Sequence, residues 1–330
     1  MRTRSFFTIL LIAAALLMIY PARWGRAKAW QPEEAIEFIA PANPGGGWDT
    51  ICRTTARVLQ KTGAITKPIY VANMPGGSGS VAIAYVVEKR KGDSHLLVAA
   101  SNSVTFSMAI KRALFTYKEV TPLAQIASEY GAYVVRADSP YKTLGDLVGT
   151  LRADPKSVSF SGGSAPGSMD HIKVALLGKA IGKNPLELVY VPFQGGGEAL
   201  ASLLGGHTAV ASLDVSEVAG QLEAGKVRIL AVLSENRLSG FPELPTAREQ
   251  GIDVIFPVWR GLYMAPGVPK PAVEFWTKTI QDMVASPEWN QERQKLGWEP
   301  VVRFGEDFNR YVNDELANYQ TLLKKLGFLK

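Results

Sequence analysis

Cysteine and histidine are scarce in this chain: 330 residues hold one cysteine, Cys52, and three histidines, His95, His171 and His207. One cysteine excludes an internal disulfide, so the fold rests on a packed core. About 300 residues usually divide into two domains. Cys52 falls in the first turns of an expected helix, where buried packing is its expected role. There is no H-E-x-x-H and no cysteine cluster, so the pattern of a zinc site is missing. The nucleophile turn G-x-S-x-G is missing too, since Gly162-Gly163-Ser164-Ala165-Pro166 fails at its last position. These absences argue against an enzyme, and no cofactor or metal is expected. Repeats, low-complexity segments and a second long apolar run are also lacking.

A charge excess of functional weight is lacking as well. The chain has 36 basic and 30 acidic side chains, but the surplus sits at one end. Arg2 and Arg4 precede an apolar run over residues 6–20, and Ala27-Lys28-Ala29 forms a small-x-small site. This is the layout of a secretory signal peptide over residues 1–29, with cleavage expected between Ala29 and Trp30. The apolar run is short for a bilayer span. Thr3 splits the two arginines, which excludes a twin-arginine signal. The leader carries Arg2, Arg4, Arg23, Arg26, Lys28 and no acid; taking these five from 36 leaves 31 bases against 30 acids. Nucleic-acid and membrane-surface binding therefore lose their support. The expected location is the periplasm.

What is present is glycine at strand-to-helix turns. Strands are expected at 36–40, 69–72, 96–100, 123–128, 132–136, 158–161, 188–191, 209–213, 227–232 and 262–264. Helices are expected at 48–61, 80–90, 143–153, 168–179, 218–224, 270–285, 287–296 and 306–326. Thr143 with Asp146 reads as a capping box, and Gly63 and Gly182 suit helix ends. The alternation predicts an α/β fold of mainly parallel sheets flanked by helices, with ligands outside the strands' carboxyl ends. Crossings between lobes are expected at 123–136, where Glu129-Tyr130-Gly131 interrupts two apolar runs, and at 227–234.

Two turns stand out, Asn43-Pro44-Gly45-Gly46-Gly47-Trp48-Asp49 and the stretch Ser161-Gly162-Gly163-Ser164 to Ser168-Met169-Asp170-His171. Each presents backbone N–H groups at a helix N-terminus, where the dipole favours an anion. Ser101-Asn102-Ser103 and Gly195-Gly196-Gly197 occupy similar positions, so Gly47, Ser101 and Gly196 join the candidate ligand-binding set. Gly77-Ser78-Gly79-Ser80-Val81-Ala82 fits a dinucleotide fingerprint. Its acidic partner is poorly placed, however: Asp93 follows Gly79 by only 14 residues. A tight turn carrying glycines where a side chain would clash is the preferred reading.

In this order the motifs resemble the substrate-binding proteins of tripartite tricarboxylate transporters, the TctC/Bug family, over essentially the whole chain after the leader. The resemblance rests on Pro44-Gly45-Gly46-Gly47-Trp48-Asp49, Asn73-Met74-Pro75-Gly76-Gly77-Ser78-Gly79, Ala137-Asp138-Ser139-Pro140 and Lys142-Thr143-Leu144-Gly145-Asp146-Leu147. It continues through Gly162 to His171, Gly195-Gly196-Gly197-Glu198-Ala199-Leu200, Ala224-Gly225-Lys226 and Trp259-Arg260-Gly261. Gly47-Trp48-Asp49 is similar to the branch associated with citrate. Ser78 and Pro166-Gly167-Ser168-Met169 depart from the family's small-residue pattern.

The resemblance implies a two-lobed, type II-like periplasmic-binding-protein fold with a hinge, with 30–127 plus 233–330 as one lobe and 128–232 as the other. It implies a receptor that captures a di- or tricarboxylate, citrate-like by preference, and delivers it to membrane permease subunits. An aromatic acid or amino acid, with signalling to a sensor protein, is the alternative. A monomer is expected. By residue, the resemblance places ligand contacts at Asn43, Pro44, Gly45, Gly46 and Asp49 on one lobe and Ser161, Gly163, Ser164, Ser168 and His171 on the other. Asp214 is either a ligand contact or a helix N-cap. Arg260 either pairs with a ligand carboxylate or lies on an outer face, and His171 either meets ligand or packs.

Overall fold

In the computed structural model, which describes residues 30–113 and 115–330, strands and helices alternate through the first two-thirds of the chain. The leader and its cleavage site lie outside the described residues. Strands β1 (Ile36–Ala40), β2 (Ile69–Asn73) and β3 (Leu96–Ser101) run parallel, joined through helices α1 (Gly47–Lys61) and α2 (Ser80–Lys89). α1 forms because its apolar and small residues recur on one face, burying Trp48, Ile51, Cys52, Thr55, Val58 and Leu59. Cys52 is fully buried, and burial pushes its thiol far above the reactive range. The helix stops at Gly63, whose φ of +71° suits glycine.

After β3 comes α3 (Asn102–Ala109), then β4 (Thr121–Arg136). The structure corrects the expected break at Glu129-Tyr130-Gly131, because β4 is one strand of 16 residues. Its partners change there instead. Thr121–Tyr130 pairs with β9 (Pro257–Met264), whereas Gly131–Val134 pairs with β7 (Val210–Asp214) and Ala132–Arg136 with β8 (Val227–Val232). Glycine is required at 131 because a Cβ would lie 2.4 Å from Cδ of Lys173, whose stem runs over it. β9 starts five residues before the expected 262–264 segment, since it pairs with both β3 and β4.

The second set of parallel strands is β5 (Ser159–Gly162), β6 (Val189–Pro192) and β7, connected through α5 (Met169–Ala180) and α6 (Gly196–Leu204). The whole strand order is β2-β1-β3-β9-β4-β7-β5-β6, with β8 and the short β10 (Arg303–Phe304) also on β4. α4 (Leu144–Ala153) carries the expected capping box of Thr143 and Asp146. α7 (Val215–Glu223) begins three residues before the expected 218, because Asp214 is its N-cap and donates its N–H to Glu217 Oε2 at 2.9 Å. The chain ends in α8 (Lys270–Ala285), α9 (Pro287–Lys295) and α10 (Gly305–Lys325). α10 ties back to α3 by stacking Tyr319 on Phe106 at 4.0 Å. Residues 32–330 form one compact unit. Among the described residues no helix is long and apolar enough to cross a membrane.

Candidate functional site

The carboxyl ends of β1, β3, β5, β6 and β7 bring their turns together. Three glycine turns meet backbone to backbone. A Cβ on Gly163 would lie 2.2 Å from the Gly196 nitrogen, and one on Gly197 would lie 2.5 Å from the Pro44 oxygen. Only glycine permits that approach. Polar bonds join the same loops: the N–H of Asn43 donates to the Gln194 carbonyl at 3.1 Å and Asn43 Nδ2 to Glu198 at 2.5 Å. The Ala165 N–H donates to Ser78 Oγ at 2.9 Å.

Beneath them lies a cavity of about 30 Å³, the room of about one water. Gly46, Gly47, Ser101, Gly163, Ser164, Gly196 and Arg260 line it, which brings seven of the fifteen sequence candidates together. The N–H groups of Gly163 and Ser164 make no hydrogen bond among the described residues. The indole nitrogen of Trp48, a wall residue 7% exposed, is also without one.

The floor is a buried charge network. Arg260 Nε donates to Glu129 Oε1 at 2.5 Å and its Nη2 to Asp214 Oδ2 at 2.7 Å. Lys173 Nζ lies 2.7 Å from Oδ1 of both Asp170 and Asp214. Burial alone would lower the pKa of both bases, but the surrounding carboxylates outweigh it and hold both charged. Glu217 adds a fourth carboxylate. Its Oε1 accepts the Gly47 N–H at 2.8 Å, while Oε2 holds the Asp214 N–H. The residue is partly exposed, yet its carboxyl is enclosed. Burial there, then the like charges of Asp214 and Asp170, push it up to about 8. The site thus sets Glu129, Asp170, Asp214 and Glu217 against two cations.

The other eight candidates lie outside the cavity wall. Pro44 and Gly45 form the outer turn, and Asn43 is engaged with Glu198. Asp49 accepts from the Gly45 N–H at 3.0 Å, from Arg53 and from Asn73. Burial raises its pKa, but these bonds prevail and hold it below the usual carboxylate range. Ser161 donates to the carbonyls of Ala199 and Val210, and Ser168 pairs with Ser103 at 2.9 Å. His171 stacks on Tyr190 at 4.5 Å and accepts the Gly167 N–H on Nδ1; burial lowers its pKa to about 4. Asp214 serves as the N-cap and also holds both buried cations. Arg260 sits in the floor rather than on an outer face, already paired twice.

The sequence reading missed Glu129, Lys173 and Glu217. Lys173 carried a faint signal: three residues after Asp170, it shares that residue's helix face. Glu217 at the third position after an N-cap acid was legible as a capping residue, not as a wall of the site.

Residues 51–328 match the family model described as "Tripartite tricarboxylate transporter family receptor". Protein BugT of Bordetella pertussis is 24% identical over 301 residues, covering 90% of each chain. A Cupriavidus necator protein described as "UPF0065 protein in gbd 5'region" is 25% identical over 306 residues, 91% of this chain and 89% of its own. Among solved structures, the periplasmic binding protein BugD superposes with a TM-score of 0.82 at 23% identity, covering 90% of this chain and 99% of that one. A Rhodopseudomonas palustris protein solved with adipate gives 0.80 at 24% identity, covering 90% and 99%. MatC from the same organism, solved with malate, gives 0.76 at 22%, covering 89% and 100%. These neighbours share the chain's mixed α/β fold.

Proposed function

Because the chain belongs to the tripartite tricarboxylate transporter receptor family, whose members are periplasmic solute-binding receptors, we propose that it captures a small carboxylate and hands it to the membrane permease of such a transporter. The observation that carries this reading is the pair of adjacent unbonded N–H groups, Gly163 and Ser164, at the mouth of a helix-flanked cavity. Adjacent backbone donors of this kind cradle a carboxylate without a bulky cation. Ser101, Ser103 and the Trp48 indole add neutral donors around them.

A cavity that holds one water must open to admit such a ligand. β4 and the segment after β8 are the connections about which the two lobes, 30–127 with 233–330 and 128–232, would hinge. Ligand would then be enclosed by the three glycine turns. A citrate-like tricarboxylate agrees with the Gly47-Trp48-Asp49 signature. The four acids against two cations in the floor support a ligand with fewer carboxylates. The malate and adipate carried by the two fold neighbours are dicarboxylates.

Thermal unfolding of the exported protein against a panel of mono-, di- and tricarboxylates, aromatic acids and amino acids tests the reading. Ligand at about 100 times its dissociation constant adds roughly 2.7 kcal/mol. For a chain of this size that raises the midpoint by about 2–4 °C. A shift with one acid class supports the receptor and identifies its ligand. No shift with any acid discards the carboxylate.

A further inference from the structure

The two glycine turns do not offer a ligand the same thing. At the second, the N–H groups of Gly163 and Ser164 stand open. At the first, the chain has supplied an anion of its own: Glu217 Oε1 takes the Gly47 N–H at 2.8 Å. It lies where a ligand carboxylate would otherwise meet the N-terminus of α1. The fit around it is tight. A Cβ on Gly196 would lie 2.2 Å from Glu217 Oε1, and one on Gly47 would lie 2.0 Å from Arg260 Nη2. Both glycines therefore leave room for the Glu217 carboxylate and for the guanidinium beside it. Glu217 is fixed from behind as well, since its other oxygen accepts the Asp214 N–H at 2.9 Å.

We infer that Glu217 is a specificity-determining residue: it fills the anion position of the first turn and so selects ligands with one carboxylate and a hydrogen-bond donor in place of a second. This rests on the carboxylate-receptor reading and sharpens it. The ligand's carboxylate goes to Gly163 and Ser164. Its far end faces Glu217 and Asp170, two acceptors that reward an amide, ammonium or hydroxyl and repel an anion. Arg260 offsets that repulsion only in part, because its Nε and Nη2 are held by Glu129 and Asp214. Lys173 is likewise shared between Asp170 and Asp214. The indole of Trp48 in the same wall is a further donor without a partner among the described residues.

The matched probes are succinate and its monoamide succinamate, alike in size and differing in one charge, with citrate as a third. Their affinities are measured by calorimetry on the wild-type protein and on Glu217→Gln, which keeps the side chain's shape. At about pH 9, where Glu217 is ionised, the wild type is expected to prefer succinamate over succinate by roughly tenfold or more, and to bind citrate weakest. In Glu217→Gln that preference is expected to shrink by about the same factor. Wild-type protein that binds succinate or citrate as tightly as succinamate overturns the inference while leaving the receptor intact. So does a variant that keeps the full preference. Binding of no acid by either protein sinks the carboxylate reading itself, and the inference with it. Should the variant not fold, the wild type alone still decides. Its preference should narrow from about pH 9 to about pH 7, as Glu217 takes up a proton beside Asp214, Asp170, Arg260, Lys173 and Glu129 while succinate stays doubly charged. A preference that stays flat over that range overturns the inference.

Discussion

The two glycine turns share a glycine-rich strand-to-helix plan and are opposites in electrostatics. At the first, carboxylates cover the backbone donors: Asp49 holds the Gly45 N–H and Glu217 the Gly47 N–H. At the second, neutral groups do so: Ser164 Oγ accepts the Asp170 N–H at 3.0 Å and His171 Nδ1 the Gly167 N–H at 3.1 Å. One turn is already neutralised by the chain, and the other keeps two donors free. A glycine-rich turn at a helix N-terminus is thus a capacity for anions, and distant residues decide whether it remains available.

The largest effect should come from the network that ties the turns together. Arg260→Ala removes the cation paired with Glu129 and one of the two cations paired with Asp214, both acids fully buried. Leaving buried carboxylates unpaired typically costs about 3–5 kcal/mol. Urea unfolding should show a midpoint lowered accordingly, and the loss should shrink at low pH, where the stranded Glu129, its carboxyl pushed up by burial, protonates. A loss below about 1 kcal/mol would mean the floor is wetter than its geometry implies.

Next is Gly163→Ala, which attacks the seam itself. The added methyl meets the Gly196 nitrogen, a backbone atom that cannot swing aside. Overpacking of this kind typically costs about 1–3 kcal/mol. The open form is relieved of the clash, so affinity for any ligand should fall, and small-angle scattering should report a wider molecule. Gly63→Ala is the control: its φ of +71° is glycine-like, but nothing lies within 4 Å of the added Cβ. It should cost stability, about 1 kcal/mol, without changing affinity.

The strand-and-helix alternation, both capping residues of α4 and the glycine stops were legible because each depends on neighbours a few residues away. β4 was not. Glu129 looked like an interruption because a charge in an apolar run ordinarily ends it, and its partner Arg260 lies 131 residues on. The same distance problem hid Glu217, whose bond to Gly47 spans 170 residues. Lys173 has no local signature of a floor residue beyond its spacing from Asp170, and folding places it over Gly131 between two aspartates. The glycines announced where the site lies. The charges that decide what it accepts come from strand and helix positions that only the closed sheet brings together.

The pH dependence of stability separates the turns further, with slopes of opposite sign. Glu217 has a folded pKa raised from 4.5 to about 8, so the folded protein holds a proton that the unfolded chain releases. Its contribution is fully present below about 4.5 and is lost as pH rises through about 8. His171 has a folded pKa lowered from 6.5 to about 4, so protonation favours the unfolded chain. Its contribution is fully present above 6.5 and is lost as pH falls through about 4. Stability should therefore peak in the weakly acidic range. Glu217→Gln should flatten the alkaline side alone, and His171→Asn the acidic side alone. A common change on both sides would show that the two groups titrate as one network.

The smallest expected effect tests the neutral covering of the second turn. Ser168 is the N-cap of α5 by position but makes no side-chain cap bond, and Ser164 supplies that bond from four residues upstream. Ser164→Ala should therefore cost what a lost cap costs, about 1 kcal/mol. The backbone N–H of residue 164 survives the substitution, so succinamate affinity should change little beyond the loss of one hydroxyl donor in the wall. Asp49→Asn at the first turn is its counterpart. It weakens the ion pair with Arg53, a half-exposed partner, and should cost no more. If Ser164→Ala abolishes binding while Asp49→Asn is silent, the hydroxyl rather than the backbone N–H pair is the chief anchor of the second turn.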